Sequence, residues 1–190
     1  KLECWKRYPK KKTKNRVDTR WVPTWKQVNG KWVIKMRLTM RGFKDRQMDL
    51  ETFAGTASRS GQRVVNTIIA QNNNMVLFSL DVSQAFAKGL TFEEYARLTG
   101  TELREVEFEV LPEDLPFIRR LPGYEDFDPS CEVLKMLKSV YGLKDAPRAW
   151  RKRLHQVLRE FGLSQLAAEP ELYTMHLARV PQRTQVRKAG

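Results

Sequence analysis

Asn29-Gly30 lies between two runs of alternating residues, and that dipeptide constrains the fold more than any other feature of the chain. Both residues tolerate positive φ, which a tight two-residue hairpin turn requires. Residues 21–28 and 31–39 are therefore expected as paired antiparallel strands. Lys35, Arg37 and Thr39 alternate with Ile34, Met36 and Leu38, so one face of the second strand is basic.

Other elements follow from periodicity. Ser60 is expected to cap a helix reaching Asn72, with Val64, Val65, Ile68 and Ile69 on one face. Residues 76–82 read as a strand with Val76, Phe78, Leu80 and Val82 on one side. Asp81 on that strand is the only acid between Glu51 and Glu93. A lone carboxylate on an apolar strand costs free energy unless something pairs with it. It either serves chemistry or caps a turn over residues 83–88. Residues 92–106 read as a helix, 107–131 as a long acidic surface loop, and 132–140 as a strand. Pro147 favours the first turn of a further helix, and Gly162 stops it after Phe161. Trp150, Leu154, Val157, Leu158 and Phe161 form its apolar face. Arg148, Lys152, His155 and Arg159 form a basic stripe, which is either solvated or a nucleic-acid contact.

Charge is unevenly spread. The formal net charge is +13 over 190 residues. Residues 1–46 hold sixteen Lys/Arg and three Asp/Glu, whereas residues 91–132 hold four and twelve. Such segregation points to a polyanion partner met by basic surfaces, with the acidic segment held away. The densest run, residues 6–16, is either a solvated tail or a nucleic-acid contact or nuclear-import signal. Residues 1–19 are expected as a disordered basic tail, residues 20–177 as the folded part, and residues 178–190 as a second basic tail. No apolar run is long enough to span a membrane, no secretory signal opens the chain, and Cys4 and Cys131 lie far apart. The expectation is an intracellular protein of cytoplasm or nucleus with no membrane partner.

Phosphate-binding glycine loops, H-E-x-x-H pairs and C-x-x-C pairs are absent from the sequence. His155, His176, Cys4 and Cys131 are too scattered to suggest a metal cage. No pattern points to a Ser/His/Asp hydrolase.

Five blocks stand in order: Arg41-Gly42-Phe43, Leu50-Glu51-Thr52-Phe53, the stretch S-L-D-V-S-Q-A-F-A-K-G over residues 79–89, L-K-S-V-Y-G-L-K-D-A-P-R-A-W over residues 137–150, and Glu169-Pro170-Glu171-Leu172-Tyr173. In order and spacing the series resembles the reverse transcriptase domain of copia-type LTR retrotransposon polyproteins. The resemblance implies an α+β fold, a partial right-hand polymerase with fingers and an antiparallel palm sheet backed by helices, incomplete toward its C-terminus. The hairpin would belong to the fingers and the 76–82 strand to the palm.

By the same resemblance, Asp81 would be the first catalytic aspartate and a magnesium ligand, with the Val82 carbonyl as a backbone ligand. Phe86 matches a steric gate that rejects the ribose 2′ hydroxyl, so that deoxynucleotides are preferred; its alternative is core packing. Lys35 and Arg37 would meet the incoming triphosphate, and Gly142 and Lys144 would lie beside the nucleotide. Tyr141, Arg148 and Lys152 are template-side candidates. The implied partners are an RNA or DNA template-primer and the remainder of a polyprotein.

The family's Y-x-D-D hairpin has no counterpart here, because the sequence holds no adjacent aspartates. Two-metal phosphoryl transfer needs more carboxylates than Asp81 supplies, and Pro170 between Glu169 and Glu171 disfavours a substitute strand. The expectation is a truncated or decayed domain without polymerase activity on its own. The alternative is a non-enzymatic basic nucleic-acid-binding protein.

Overall fold

The structure is a computed structural model that describes residues 3–175. His176 and the expected basic tail at residues 178–190 lie outside the described residues. In chain order the regular elements are β1 (Trp5–Pro9), β2 (Arg16–Val17), β3 (Thr19–Val28), β4 (Lys31–Met40), α1 (Arg59–Ala70), α2 (Phe92–Thr99), β5 (Glu107–Phe108), α3 (Leu115–Ile118), β6 (Glu132–Met136), α4 (Ala146–Glu160), β7 (Ser164–Gln165) and β8 (Tyr173–Thr174). The architecture is mixed α/β with small sheets. The chain forms two compact units. The first comprises Lys1–Phe53 and Gln84–Trp150, and the second Ala54–Ser83 and Arg151–Gly190. The division falls inside α4.

The first unit is built on a four-stranded sheet ordered β1-β6-β5-β2. β6 pairs antiparallel with β1 and β5, and β2 pairs parallel with β5. Val133, Leu134 and Met136 are buried on β6, and Phe108, Val106 and Phe127 complete the centre of the core. Trp5 meets Phe108 edge-on, with ring centroids 5.7 Å apart.

This sheet corrects the expected disordered tail at residues 1–19. β1 is an edge strand and β2 a short parallel one. The reason is charge neutralisation from the acidic segment. Arg7 pairs with Glu132 and Asp126. Lys10 and Arg16 approach Glu109, and Lys14 approaches Glu105. Like-charge repulsion that would expand an isolated basic run is offset at Arg7, Lys10, Lys14 and Arg16, and the apolar Trp5 and Val17 then anchor it. The acidic segment is folded onto the basic one, not held away from it.

β3 and β4 form a separate two-stranded ribbon with ten cross-strand pairs, turned by Asn29 at φ 51° and Gly30 at φ 76°. Trp21↔Leu38, Pro23↔Met36 and Trp25↔Ile34 share one face. Val22↔Arg37, Thr24↔Lys35 and Lys26↔Val33 share the other. Pro23 is tolerated because among the described residues neither strand has a second neighbour to receive an N–H.

α2 ends earlier than the periodicity implied. Gly100 adopts φ 68° and donates its N–H to the Ala96 carbonyl, a left-handed C-terminal stop. A capping box of Thr91 and Glu94 starts the helix. The expected loop at 107–131 instead carries β5, α3 and the fully buried Phe127, whose carbonyl accepts from the Arg119 guanidinium.

In the second unit, Ser58, two residues before Ser60, caps α1 by accepting from the Gly61 N–H. A Cβ at Gly61 would stand 3.2 Å from Glu169 and Leu172, so the helix start packs against the Glu169–Tyr173 block. The expected strand at 76–82 is irregular. Val76, Phe78 and Leu80 are 71%, 81% and 92% exposed. A strand is stable only when a neighbour takes its backbone hydrogen bonds, and among the described residues no strand pairs with this segment.

Candidate functional site

The Y-G-L-K loop is locked to the base of the hairpin. The Met40 N–H donates to the Tyr141 carbonyl at 2.8 Å. Gly142 has φ 96°, and a Cβ there would stand 2.0 Å from the Met40 carbonyl oxygen. A Cβ on Gly42 would stand 2.1 Å from the Gly142 carbonyl oxygen. Both blocks need glycine because two backbones cross where side chains have no room. Gly142, which the resemblance puts beside the nucleotide, makes its close approach to backbone of this chain. Leu143 is buried beside it, whereas Lys144 is exposed, its Nζ 3.5 Å from the Asp45 carbonyl.

Phe86 opens a short 3-10 turn, Phe86–Lys88. The turn is delivered by Gln84 at φ 56°, a left-handed conformation uncommon outside glycine. Gly89 closes it against α4, where a Cβ would stand 3.2 Å from the Trp150 nitrogen. The half-buried Phe86 ring lies 4.9 Å from the ring of Tyr141, tilted by 59°. Two residues assigned separately from the sequence, a sugar-side and a template-side candidate, are therefore in direct contact.

Arg148 requires a correction. It is 7% exposed, and its guanidinium is used within the fold. Nε donates to the Tyr95 hydroxyl at 2.7 Å, Nη1 to the Phe53 carbonyl at 3.0 Å, and Nη2 to the Glu51 carboxylate. The A-P-R block thus clamps the L-E-T-F block, and Arg148 is closed to a template strand. Lys152, on the following turn, is half-buried and without an ion pair among the described residues.

On the ribbon, Lys35 is exposed, and Arg37 is exposed with one long contact, 3.4 Å to the Thr24 hydroxyl. Arg20, Lys26 and Lys31 share their face. Among the described residues Arg20, Lys26, Lys31 and Lys35 form no ion pair. The opposite face exposes Trp25, Ile34 and Met36.

Asp81 and Val82 lie on the irregular, exposed segment. No group of three His, Cys, Asp or Glu side chains stands together to hold a metal ion among the described residues. The implied magnesium does not fit here: an exposed carboxylate that belongs to no such group among the described residues does not make a two-metal cradle. Glu171 is not free to substitute, because both Nε and Nη2 of Arg151 donate to it.

One cluster was not singled out in the sequence. Buried Arg104 pairs with Asp45 at 2.6 Å and Asp145 at 3.2 Å, and Asn15 donates to Asp45 at 2.8 Å. Its guanidinium also lies over the Phe92 ring. Burial pushes the nearby Glu107 carboxyl above its usual range, opposed by the Asn15 N–H. The cluster ties β2, the segment after β4, β5 and the start of α4 together. The one hint was Asp145 inside the Y-G-L-K-D-A-P-R block.

The chain is 27% identical over 168 residues, 86% of its length, to a retrovirus-related Pol polyprotein from transposon RE2 of Arabidopsis thaliana. It is 28% identical over 164 residues, 84% of its length, to the corresponding polyprotein from transposon RE1 of the same plant. The chain spans about a tenth of the length of these relatives. No protein-family model matches it, and no solved structure does. Among the described residues no helix is long and apolar enough to cross a membrane. The two similarities support an origin in a retrotransposon Pol polyprotein.

Proposed function

We propose that the chain is a piece of the fingers and palm of a copia-type reverse transcriptase, an RNA-directed DNA polymerase, that contacts template-primer and deoxynucleotide without catalysing transfer by itself. The observation that carries this reading is the packing of the motif blocks on one another. R-G-F crosses Y-G-L-K at paired glycines, Phe86 meets Tyr141, and A-P-R holds L-E-T-F through Arg148. Blocks that merely recur in a sequence need not touch. The exposed, alternating run around Asp81 supports the same reading, being the pattern of a sheet strand whose neighbours lie elsewhere in a polyprotein. Phe86 remains the candidate sugar-side residue, Lys35 and Arg37 the candidate triphosphate cations, and Gly142, Lys144 and Lys152 candidate neighbours of nucleotide and template.

Catalysis is assigned to no residue of this chain alone. Asp81 is the only acid in a family position, and no step is derived through a metal that it would have to hold unaided. The test is primer extension on an RNA template with magnesium or manganese, alongside an Asp81→Asn variant. The expected result is binding of the hybrid with no extension. Extension that disappears in Asp81→Asn would overturn the inactivity, and absence of any hybrid binding would overturn the reading itself.

A second reading, a non-enzymatic nucleic-acid-binding protein, is favoured by the ribbon cations that form no ion pair among the described residues. The two readings share their contact surface and differ over a nucleotide pocket.

A further inference from the structure

Phe86 and Tyr141 reach each other from backbones anchored independently. Phe86 is held from below: Gly89 packs against residues 149–150, the Gly89 N–H donates to the Phe86 carbonyl at 3.0 Å, and Leu90 is buried. Tyr141 is held by its carbonyl, which accepts from Met40, and by the Gly42–Gly142 crossing. Neither ring has another aromatic partner among the described residues. The Tyr141 side chain is partly exposed, so its removal opens no sealed cavity. A phenylalanine side chain on a short 3-10 turn has several staggered χ1 positions available. A tilted ring 4.9 Å away excludes some of them and adds an aromatic packing attraction.

We infer that Tyr141 is a positioning residue: its ring fixes the orientation of Phe86 and thereby sets the preference for 2′-deoxynucleotides over ribonucleotides. The inference rests on the reading of Phe86 as the side chain under the sugar. Rejection of a 2′ hydroxyl by a clash works only while the clashing group cannot rotate away. A free Phe86 would yield to the extra oxygen, and the discrimination would fall. The Tyr141 hydroxyl takes no part, so phenylalanine at that position should serve equally.

The test is equilibrium binding of dGTP and of GTP to the full chain, measured by calorimetry. The wild-type chain should bind dGTP more tightly. Tyr141→Ala should cut the ratio of the two affinities by roughly tenfold, the scale of a lost steric contact in a pocket. The weakening should come mainly from tighter GTP binding. Tyr141→Phe should keep the ratio, and Phe86→Ala should abolish it. Urea midpoints of each variant separate a positioning role from a structural one, since loss of packing alone lowers the midpoint without changing the ratio. If Tyr141→Ala does not fold, Tyr141→Leu keeps bulk without a flat ring and should also lose the ratio. A ratio unchanged in Tyr141→Ala, or lost in Tyr141→Phe, overturns the inference and leaves the Phe86 reading intact. No preference in the wild-type chain overturns both.

Discussion

Arg148 shows how a residue's role depends on partners far away in the sequence. Its three donors serve Tyr95, Phe53 and Glu51, which lie 53, 95 and 97 residues distant. Truncation strands the Phe53 carbonyl and the Tyr95 hydroxyl together. Arg148→Ala should therefore destabilise the chain by about 2–4 kcal/mol, the range for breaking a buried charged hydrogen-bond set. Arg148→Lys should not restore it, because an ammonium cannot present the planar fork that reaches all three. The measurement is the urea midpoint of both variants. Wild-type stability with weakened nucleic-acid binding would return Arg148 to the template side. The helical stripe of Arg148, Lys152, His155 and Arg159 was legible in the sequence, but the stripe carries no information about which member a loop covers. The resemblance puts Gly142 beside the nucleotide, whereas the neighbour that demands a glycine there is Met40 at the end of the hairpin.

At the scale of elements, α4 and the β7–β8 pair of the second unit are joined by a titratable contact. Burial lowers the His155 pKa below its ordinary 6.5, with Arg151 and Arg159 adding to the shift and Glu171 opposing it. Burial alone would raise Glu171, but Arg151 outweighs it and holds the carboxyl below its ordinary 4.5. The signs agree. Unfolded His155 binds a proton near 6.5 while the folded side chain resists it, so stability falls as pH drops below 6.5. Glu171 contributes stability above 4.5 that is lost as pH falls through its folded value. Glu107 in the first unit works oppositely, its raised pKa favouring the fold as pH falls toward 4.5. A local probe is thus required. The protection of the Tyr173 and Thr174 amides, relative to their intrinsic exchange rates at each pH, should fall in two steps on acidification, and His155→Gln should remove the upper step. A single step below 4.5 in the wild-type chain would show that His155 does not participate. The hairpin, both long helices and the stop at Gly162 were legible because each is specified locally, by a turn dipeptide, a cap or a positive φ. The segment 76–82 was misjudged because alternation specifies a strand only when a neighbour exists to pair with it. β1 was missed because its stability comes from acids some hundred residues away.

Across the whole molecule, the sequence's charge count overstates the surface available to a polyanion. Arg7, Lys10, Lys14 and Arg16 are committed to Glu105, Glu109, Asp126 and Glu132. Releasing them for phosphate would cost those pairs and loosen the edge of the sheet. The ribbon has no such cost, since Arg20, Lys26, Lys31 and Lys35 have no acidic partner among the described residues and project from one face. Binding to a single-stranded oligonucleotide should therefore weaken as salt rises, through release of condensed counterions. Replacing those four ribbon cations by alanine should make the log–log salt slope shallower by roughly 3, since each phosphate contact on a single strand contributes about 0.7. Replacing Arg7, Lys10 and Arg16 removes a similar formal charge. It should leave the slope nearly unchanged while lowering the urea midpoint. Anisotropy titrations of a labelled oligonucleotide between about 50 and 200 mM salt give both slopes. The comparison discriminates because net charge treats the two variants almost alike, whereas the folded charge arrangement does not. A slope that follows formal charge in both variants would mean that the ion pairs of β1 open to meet nucleic acid, and the interface would then include the N-terminal strand.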